Sequence, residues 1–232
     1  MDPSDVSTPM FDRIGGEIIE MATTLSDHEY HAARAGNLSV RISSDLVVCT
    51  RHRADKGKLT LNDLIICNLQ GDGVAGGGKP SSEIGMHLAC YRVRPDVSAV
   101  IHAHPPTATG FAAASTRLDQ VTLPELVVWL GPIGFVPYAT PGSSELADLV
   151  EQYIGSHDAL LLENHGALTV GQDLRQAAER MDLVEHSARV TLVVRQLGKV
   201  FSLSPAESEE LLEIRRRVDR APPVFPLSSA GR

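Results

Sequence analysis

Three histidines have the spacing of a metal site. His102 and His104 lie two residues apart in SAVIHAHPP, which begins as an apolar strand. Because successive side chains of a strand point to opposite faces, these imidazoles point the same way, roughly 7 Å apart. His165 follows a second apolar run in DALLLENHG. Two histidines of one strand and a third at another strand end fit an open catalytic zinc site, and a solvent-facing polar strand is the alternative.

A serine pair and a glutamate precede the His-x-His strand. The segment 80–95, PSSEIGMHLACYRVRP, predicts a helix bounded by its prolines. Ser81 and Ser82 would lie at the helix N-terminus, where free N–H groups and the helix dipole favour an anion. Glu83 would lie in the first turn, with His87 one turn later on the same face. An ordinary serine cap with a dipole-favoured glutamate is the alternative.

Residues 51–59, RHRADKGKL, are basic in an otherwise acidic chain. They contain four Lys or Arg residues and one His among nine. Arg51, Arg53 and Lys56 suggest an anion-binding loop, and a solvated surface loop is the alternative that the sequence leaves open. The glycine-rich stretch 71–79 is not a nucleotide-phosphate loop, because a proline stands where that motif requires Ser or Thr.

Composition indicates one domain with a large core. The chain has 232 residues, of which 43% are hydrophobic. The net charge of −8 disfavours a nucleic-acid or anionic-membrane surface, so we expect neither partner. No run approaches the about 18 apolar residues of a membrane-spanning helix, and the N-terminus does not look like a signal peptide. The three cysteines lack paired spacing and fit core positions in a reducing cytoplasm.

Hydrophobic periodicity divides the chain into strands and helices. We expect a disordered segment at 1–9, one domain over 10–218 and a Pro-rich tail at 219–232. The predicted strands are 34–42, 45–50, 64–69, the His-x-His strand and 158–163. The predicted helices are 10–26, 80–95, 107–115, 143–155, 171–198 and a last one that begins at a Ser204–Glu207 capping box.

Several short motifs occur together in the order found in a known family. The chain resembles the class II aldolases of the L-fuculose-1-phosphate aldolase type, a family that also contains the adducin head domain. The motifs are GNLS (36–39), KPSSE (79–83), HAH (102–104), PYATPGS (137–143) and NHG (164–166). The resemblance implies a three-layer α/β/α sandwich on a mixed, largely antiparallel central sheet. It also implies a homotetramer with active sites at subunit interfaces.

The same resemblance implies a role for each matching residue. His102, His104 and His165 become the ligands of one divalent metal ion per subunit, with zinc expected and manganese or cobalt as alternatives. Glu83 becomes the acid/base residue next to the metal. The residues implied for the substrate phosphate are Asn37, Thr50, Ser81 and Ser82. These roles agree with the residue-based hypothesis of an anion at a helix N-terminus beside a three-histidine site.

Two segments depart from the family pattern. Family members carry T-P-[ST]-G after the second strand, but this chain has TRHR (50–53), so Arg51 and Arg53 join the phosphate-binding candidates. Fuculose aldolases use tyrosines for the aldehyde half, but residues 123–129 read LPELVVW and no tyrosine follows Tyr153. An apolar pocket there predicts a preference for substrates with a deoxy or thioether tail.

The resemblance predicts a metal-dependent lyase. The substrate would be a ketose 1-phosphate of the 5-deoxyribulose, 5-methylthioribulose or fuculose type, cleaved reversibly to dihydroxyacetone phosphate and an aldehyde. Alternatives on the same scaffold are a methylthioribulose-1-phosphate dehydratase and a small-acid decarboxylase. A related 4-epimerase fits less well, because that group carries Asp where Glu83 stands. An adducin-like non-enzymatic module fits least, because it has no need of the three histidines and Glu83.

Overall fold

Eight strands form one sheet in the computed structural model, which describes residues 6–118 and 123–218. The strands are β1 (Asn37–Arg41), β2 (Leu46–Thr50), β3 (Leu64–Asn68), β4 (Gly73–Ala75), β5 (Ala99–Ala103), β6 (Ile133–Val136), β7 (Ala159–Leu162) and β8 (Gly166–Gly171). Their spatial order is β4-β3-β2-β1-β5-β8-β7-β6. Neighbours among these strands run antiparallel, except β6 and β7, which are parallel. This confirms the mixed, largely antiparallel sheet.

Helices cover both faces of the sheet. They are α1 (Thr8–Asp27), α2 (Ile84–Val93), α3 (Pro106–Ala113), α4 (Ser144–Ile154), α5 (Leu174–Leu197) and α6 (Pro205–Val218). On one face α1, α3 and α5 pack in a core that includes Ile18, Phe111 and Met181. On the other face α2 and α4 pack through residues such as Met86 and Val150. The two cores confirm the α/β/α sandwich.

β5 lies near the centre of the sheet and carries His102. Ala99 and Ile101 point into the core beneath α1, α3 and α5, whereas Val100 points into the core beneath α2 and α4. His102 shares the face of Val100, because side chains alternate along a strand. Burial of a side chain such as Val100 or Ile101 contributes about 1.5–3 kcal/mol. The apolar residues of β5 therefore fix the face on which His102 lies.

The start of α2 differs from the prediction. The helix begins at Ile84, because the proline before the serine pair is held beside Arg51 in an isolated β-bridge. The Ser81 hydroxyl then accepts a 3.3 Å hydrogen bond from the N–H of Glu83, which favours a turn over a helix. Ser81 and Ser82 therefore precede the helix instead of opening it. Glu83 is the N-cap residue and not a member of the first turn.

β8 is absent from the predicted strands. Its sequence, GALTVG, has no regular alternation of apolar and polar residues. The strand pairs with β5 on one side and β7 on the other, and all of its residues are buried. A strand that is buried on both faces lacks the period-two pattern by which half-buried strands are recognised.

The residues predicted to cap the last two helices do so at both ends of α5 and at the start of α6. The Asp173 side chain accepts a 2.7 Å hydrogen bond from the N–H of Gln176 at the start of α5. Gly198 ends that helix with a φ of 78°. Ser204 and Glu207 bond each other's backbone N–H groups as the capping box of α6.

The two ends of the chain are described in part. α1 begins at Thr8, inside the segment 1–9 that is predicted to be disordered. The predicted Pro-rich tail 219–232 lies outside the described residues. Within 6–118 and 123–218, no helix has both the length and the apolar character that a membrane crossing requires.

Candidate metal centre and active site

Three histidines converge at one end of the central strands. His102 is in β5, His104 follows that strand, and His165 lies in the turn between β7 and β8. Their ligand atoms all lie within 4.8 Å of one another, and the Nε2 atoms of His102 and His104 are 3.0 Å apart. Two nitrogens of a tetrahedral zinc site lie about 3.3 Å apart when each Zn–N distance is about 2.0–2.1 Å. The fold therefore brings the three predicted ligands together.

A tight turn places His165 beside His104. Asn164 has a φ of 55°, a left-handed conformation that asparagine tolerates better than most residues. The N–H of His165 donates to the Leu162 carbonyl at 3.0 Å. A Cβ on Gly166 would lie 2.5 Å from Cδ2 of His104, so only glycine allows this approach. The sequence Asn-His-Gly thus makes the turn that delivers the third imidazole.

Hydrogen bonding and burial leave His102 and His104 ready to bind a cation. His102 Nδ1 lies 2.9 Å from the Ala167 carbonyl oxygen, which can only accept, so Nδ1 carries the hydrogen and Nε2 the lone pair. Burial lowers the pKa of His102 well below its usual range and lowers the pKa of His104 to about 4. Neutral imidazoles whose lone pairs converge repel one another unless a cation lies between them. The residues present therefore fit a divalent metal ion.

The Glu83 carboxylate lies against this cluster. Its Oε1 is 3.0 Å from His165 Nε2, and its Oε2 is 3.7 Å from His102 Nε2. Oε2 also accepts a 2.8 Å hydrogen bond from Asn37 Nδ2. Burial acts to raise the pKa of Glu83, but its close contacts with His165 and Asn37 outweigh burial and hold the pKa below its usual range. Glu83 is therefore a carboxylate in these surroundings.

Asn37 connects Glu83 to a buried polar group beneath α2. Its Oδ1 lies 2.5 Å from His87 Nε2, and His87 Nδ1 lies 2.7 Å from Ser39 Oγ. Ser39 Oγ is 2.8 Å from the Tyr91 hydroxyl. The sequence patterns do not single out Ser39 and Tyr91. The available signal is the spacing of Glu83, His87 and Tyr91 at intervals of four, which places all three on one helix face.

Several of the other residues predicted to bind phosphate lie near the C-terminal end of β2. Thr50 is the last residue of β2, and its Oγ1 accepts a 3.3 Å hydrogen bond from a backbone N–H of β1. The β-bridge of Arg51 joins this end to the loop that carries Ser81 and Ser82. The Arg51 side chain donates to Asp63 at 2.5 Å. Thr50, Arg51 and the serine loop are thus neighbours, although Arg51 already has a carboxylate partner.

The remaining basic residues of 51–59 differ in exposure. Arg53 is exposed, with a φ of 59°. Lys56 is only 2% exposed, and its Nζ donates to the carbonyl oxygens of Arg34 and Ala54 at 2.7 and 2.9 Å. Burial lowers the pKa of Lys56 to about 8. Lys56 anchors the loop to the turn before β1, which corrects the hypothesis that it forms an anion-binding surface with the two arginines.

His31 is a neighbour of the site that no sequence pattern indicates. Its Nδ1 lies 3.2 Å from Ser26 Oγ. A Cβ on Gly36 would lie 2.8 Å from His31 Nε2 and 2.9 Å from the His102 carbonyl oxygen. Gly36 also has a φ of 78°, so both space and backbone conformation require glycine at this turn. Burial lowers the pKa of His31 to about 4, and the neutral ring packs against the turn that leads into β1.

A carboxylate of α5 holds the turn after His104. Glu185 is 1% exposed, and its oxygens accept hydrogen bonds of 2.9–3.2 Å from the N–H groups of Thr107 and Ala108. These N–H groups belong to the first turn of α3, where a negative charge is favoured by the helix dipole. The N–H of His104 donates to the Tyr30 carbonyl at 2.8 Å. The backbone is therefore held at His104 and immediately after it.

The apolar segment 123–129 divides between the core and an open groove. Leu126 and Val127 are buried, whereas Trp129 is 54% exposed. Trp129 lines a groove of about 720 Å³ against α5, and neither Glu83 nor any histidine of the cluster lines it. Because Leu126 and Val127 are buried, they do not form the predicted apolar pocket beside the metal ligands of the same chain.

Comparison with known proteins gives the family and several named relatives. Residues 16–192 match the family model described as Class II Aldolase and Adducin N-terminal domain. An L-fuculose phosphate aldolase of Methanococcus maripaludis is 34% identical over 181 residues, covering 78% of this chain and 97% of the relative. A 3-oxo-tetronate 4-phosphate decarboxylase of Haemophilus influenzae is 29% identical over 199 residues, covering 84% and 93%. A 5-deoxy-D-ribulose 1-phosphate aldolase of Bacillus thuringiensis is 33% identical over 150 residues, covering 64% and 70%.

Solved structures share the fold. An L-fuculose 1-phosphate aldolase superposes with a TM-score of 0.81 at 30% identity, covering 87% of this chain and 95% of that one. The L-fuculose-1-phosphate aldolase of Thermus thermophilus gives a TM-score of 0.70 at 28% identity, covering 83% and 100%. These relatives are aldolases and a decarboxylase, which supports an enzyme of the lyase class. The chain belongs to the class II aldolase and adducin N-terminal domain family.

Proposed function

We propose that this protein is a divalent-metal-dependent aldolase that reversibly cleaves a ketose 1-phosphate to dihydroxyacetone phosphate and an aldehyde. The observation that carries the proposal is the position of the Glu83 carboxylate, 3.0 Å from His165 Nε2 and 3.7 Å from His102 Nε2. Breaking a carbon–carbon bond next to a carbonyl requires a proton carrier and a positive charge in the same place. The Glu83 carboxylate would carry the proton, and a divalent cation held by the three imidazoles would supply the positive charge.

The proposed metal ligands are His102, His104 and His165. A divalent cation held there would supply the positive charge that stabilises the enediolate oxygens when the C3–C4 bond breaks. We expect zinc, because three imidazoles with an open position suit it, with manganese or cobalt as alternatives. The hydrogen bond from His102 Nδ1 to the Ala167 carbonyl supports this role, since it directs the Nε2 lone pair toward the other two rings.

Glu83 is proposed to carry the proton at C3. In the condensation direction its carboxylate removes a proton from C3 of dihydroxyacetone phosphate, and in the cleavage direction it returns that proton. Asn37 Nδ2 occupies Oε2 at 2.8 Å, so we assign the proton to Oε1. The N-cap position at α2 favours the ionised carboxylate, which is the form that a base requires.

The phosphate of the substrate is proposed to bind between the C-terminal end of β2 and the loop before α2. The proposed contacts are made by Asn37, Thr50, Arg51, Arg53, Ser81 and Ser82. Asn37 has one amide hydrogen left for a substrate, because Glu83 uses only one of the two. Arg53 is exposed and could reach an anion without breaking an ion pair, whereas Arg51 would have to be shared with Asp63.

We also propose a cytoplasmic homotetramer with active sites at subunit interfaces. Exposed apolar side chains on and after α5, such as Leu197 and Phe201, at 75% and 85% exposure, are consistent with contact between subunits. A neighbouring subunit could then supply the aldehyde-binding residues that Leu126 and Val127 do not supply. The three cysteines are free and buried, as expected for a reducing compartment.

A decarboxylase is the second candidate. It is favoured by the relative named 3-oxo-tetronate 4-phosphate decarboxylase, which the chain matches over 84% of its length. Loss of carbon dioxide from a 2-hydroxy-3-oxo acid also leaves an enediolate, so the same cation and the same acid would serve. A dehydratase of methylthioribulose 1-phosphate is a third candidate on this scaffold.

One experiment separates these reactions. The zinc-loaded protein is incubated with a panel of ketose 1-phosphates and 3-oxo acid phosphates, and the products are identified by coupled assay and mass spectrometry. Release of dihydroxyacetone phosphate together with an aldehyde from a ketose 1-phosphate supports the aldolase. Release of carbon dioxide from a 3-oxo acid phosphate, with no aldehyde formed from any ketose 1-phosphate, would replace the aldolase with the decarboxylase, and loss of water would replace it with a dehydratase. Glu83→Gln is the control for a background reaction.

A further inference from the structure

A line of hydrogen bonds runs from Glu83 into the core beneath α2. It passes through Asn37, His87 and Ser39 to Tyr91, with separations of 2.8, 2.5, 2.7 and 2.8 Å. Asn37, His87, Ser39 and Tyr91 are all at most 3% exposed. This buried line of polar groups ends at the proposed acid/base residue. The direction of donation along it therefore determines whether Asn37 presents a donor or an acceptor to Glu83.

The carboxylate gives the line its direction at one end. A carboxylate can only accept, so Asn37 must turn Nδ2 toward Glu83 and therefore Oδ1 toward His87. The amide oxygen can also only accept. His87 must then carry its hydrogen on Nε2, the nitrogen that lies 2.5 Å from Oδ1.

The far end of the line is consistent with the same direction. Burial lowers the pKa of His87 to about 4, so the ring is neutral near neutral pH and has a lone pair on Nδ1. The Ser39 hydroxyl, 2.7 Å away, must donate its single hydrogen to that lone pair. Ser39 Oγ can then only accept, and the Tyr91 hydroxyl, 2.8 Å from Oγ and 2.9 Å from the Ser39 carbonyl, donates to this residue.

We propose that His87 is a positioning residue for Glu83, held by the Ser39 hydroxyl in the tautomer that carries hydrogen on Nε2. This rests on the proposed acid/base function of Glu83. The opposite direction would turn Asn37 Oδ1 toward a carboxylate oxygen at 2.8 Å, where two acceptors repel each other. Donation by Ser39 therefore stabilises the tautomer of His87 that keeps Asn37 Nδ2 facing Glu83.

The tautomer of His87 can be measured directly. Protein labelled with ¹⁵N-histidine and loaded with zinc is studied by long-range ¹H–¹⁵N correlation spectroscopy, and the His87 signals are assigned by their loss in His87→Gln. We expect a neutral ring with hydrogen on Nε2. A ring with hydrogen on Nδ1, or a doubly protonated ring at neutral pH, would overturn the proposal. This measurement on the wild-type protein decides the direction even if other variants do not fold.

Two matched variants test the consequence for catalysis. Ser39→Ala and Tyr91→Phe each remove one buried oxygen, but only Ser39→Ala removes the donor to His87. For exchange of the C3 proton of dihydroxyacetone phosphate, we expect Ser39→Ala to lower kcat at least about tenfold with KM within about twofold. Tyr91→Phe should stay within about threefold of wild type. Equal effects of the two variants, or unchanged kcat in Ser39→Ala, would refute the positioning role.

Failure of the proposed function has a different signature. If the wild-type protein exchanges no C3 proton, Glu83 does not act as proposed, whatever the variants do. The His87 tautomer would still report the direction of the hydrogen bonds. Zinc content and the thermal unfolding temperature are measured for the two variants in parallel. A general structural defect would lower the zinc content and the unfolding temperature, whereas lost positioning of Glu83 would lower kcat alone.

Discussion

Asn37 donates a 2.8 Å hydrogen bond to Glu83 and thereby joins the first residue of β1 to the N-cap residue of α2. Asn37 is also the direct partner of His102 in the pairing of β1 with β5. The carboxylate and the central histidine are therefore positioned by the same residue of the sheet. This arrangement makes the acid/base role of Glu83 the first point to test.

Glu83→Gln should keep the fold and the metal but lose most turnover. An amide keeps the shape and an acceptor for Asn37, but it cannot carry a proton at neutral pH. A positioned acid/base group contributes about 10²–10⁴-fold, and we expect a loss of that size in exchange of the C3 proton of dihydroxyacetone phosphate. Glu151→Gln, a half-buried carboxylate of α4 that pairs with Arg92, is the control. Near-normal exchange in Glu83→Gln would show that another group carries the proton.

Replacement of any cluster histidine should reduce metal content. We expect about one zinc ion per subunit in the wild-type protein and much less in His102→Ala, His104→Ala or His165→Ala after dialysis. His186→Ala, an exposed histidine of α5, should bind metal as the wild type does. Atomic emission spectroscopy measures all of these variants. Wild-type stoichiometry in the three cluster variants would remove the proposed site.

Neutralising the two arginines should weaken recognition of phosphate. A hydrogen bond to a charged group contributes about 1.5–3 kcal/mol, so Arg51→Gln with Arg53→Gln should raise KM for a phosphorylated substrate at least about tenfold. The effect on a non-phosphorylated analogue should be small. Lys58→Gln removes one positive charge from the same segment and serves as control. Equal effects on both substrates would assign the loop to surface or subunit contact.

Lys56 should give stability a distinct dependence on alkaline pH. Its folded pKa of about 8 lies below the ordinary value of 10.5, so the unfolded chain binds more protons than the folded chain between these values. Stability contributed by this group therefore rises with pH across that window. The free energy of unfolding of the wild type minus that of Lys56→Met should increase between about pH 8 and about pH 10. A difference that is constant with pH would contradict the buried, depressed lysine.

The aldehyde half of the substrate should be apolar, because residues 123–129 contain no tyrosine and none follows Tyr153 to bind hydroxyl groups. A plain tail gains about 0.8 kcal/mol per buried methylene, whereas a hydroxyl that loses its hydrogen bonds costs about 1–3 kcal/mol. We expect kcat/KM for 5-deoxyribulose 1-phosphate or 5-methylthioribulose 1-phosphate to exceed that for fuculose 1-phosphate. The relative named 5-deoxy-D-ribulose 1-phosphate aldolase agrees with this expectation. A clear preference for fuculose 1-phosphate would show that a hydroxyl-binding group has been overlooked.

Local patterns in the sequence predicted most of the fold, because its helices carry their own start and stop signals. Asp173 and Gly198 bound α5 where expected. The patterns failed where pairing partners decide the conformation. α2 begins later than predicted, because Arg51 holds the preceding proline in a β-bridge. β8 lacks alternating apolar and polar residues, because both of its faces are buried. Neither cause can be read from a single segment.

The part of the site that could be predicted is the part whose residues have a recognisable spacing in the sequence. His102 and His104 share a strand face, and that spacing can be read from the sequence. Lys56 could not be placed, because its two carbonyl partners lie on a loop and a turn that only the tertiary fold brings together. Ser39 was hidden for a similar reason, since its partner lies 48 residues away.

The pairing of Asn37 with His102 has a consequence for folding fidelity. A slip of one residue between β1 and β5 would turn every side chain of β5 to the opposite face. His102 would then enter the apolar core beneath α5, away from His165. A misaligned chain would thus lose the proposed metal site, whereas metal bound at that site would stabilise the aligned chain in proportion to the logarithm of metal concentration. Metal bound at the proposed site would therefore favour the correct strand register over a slipped one.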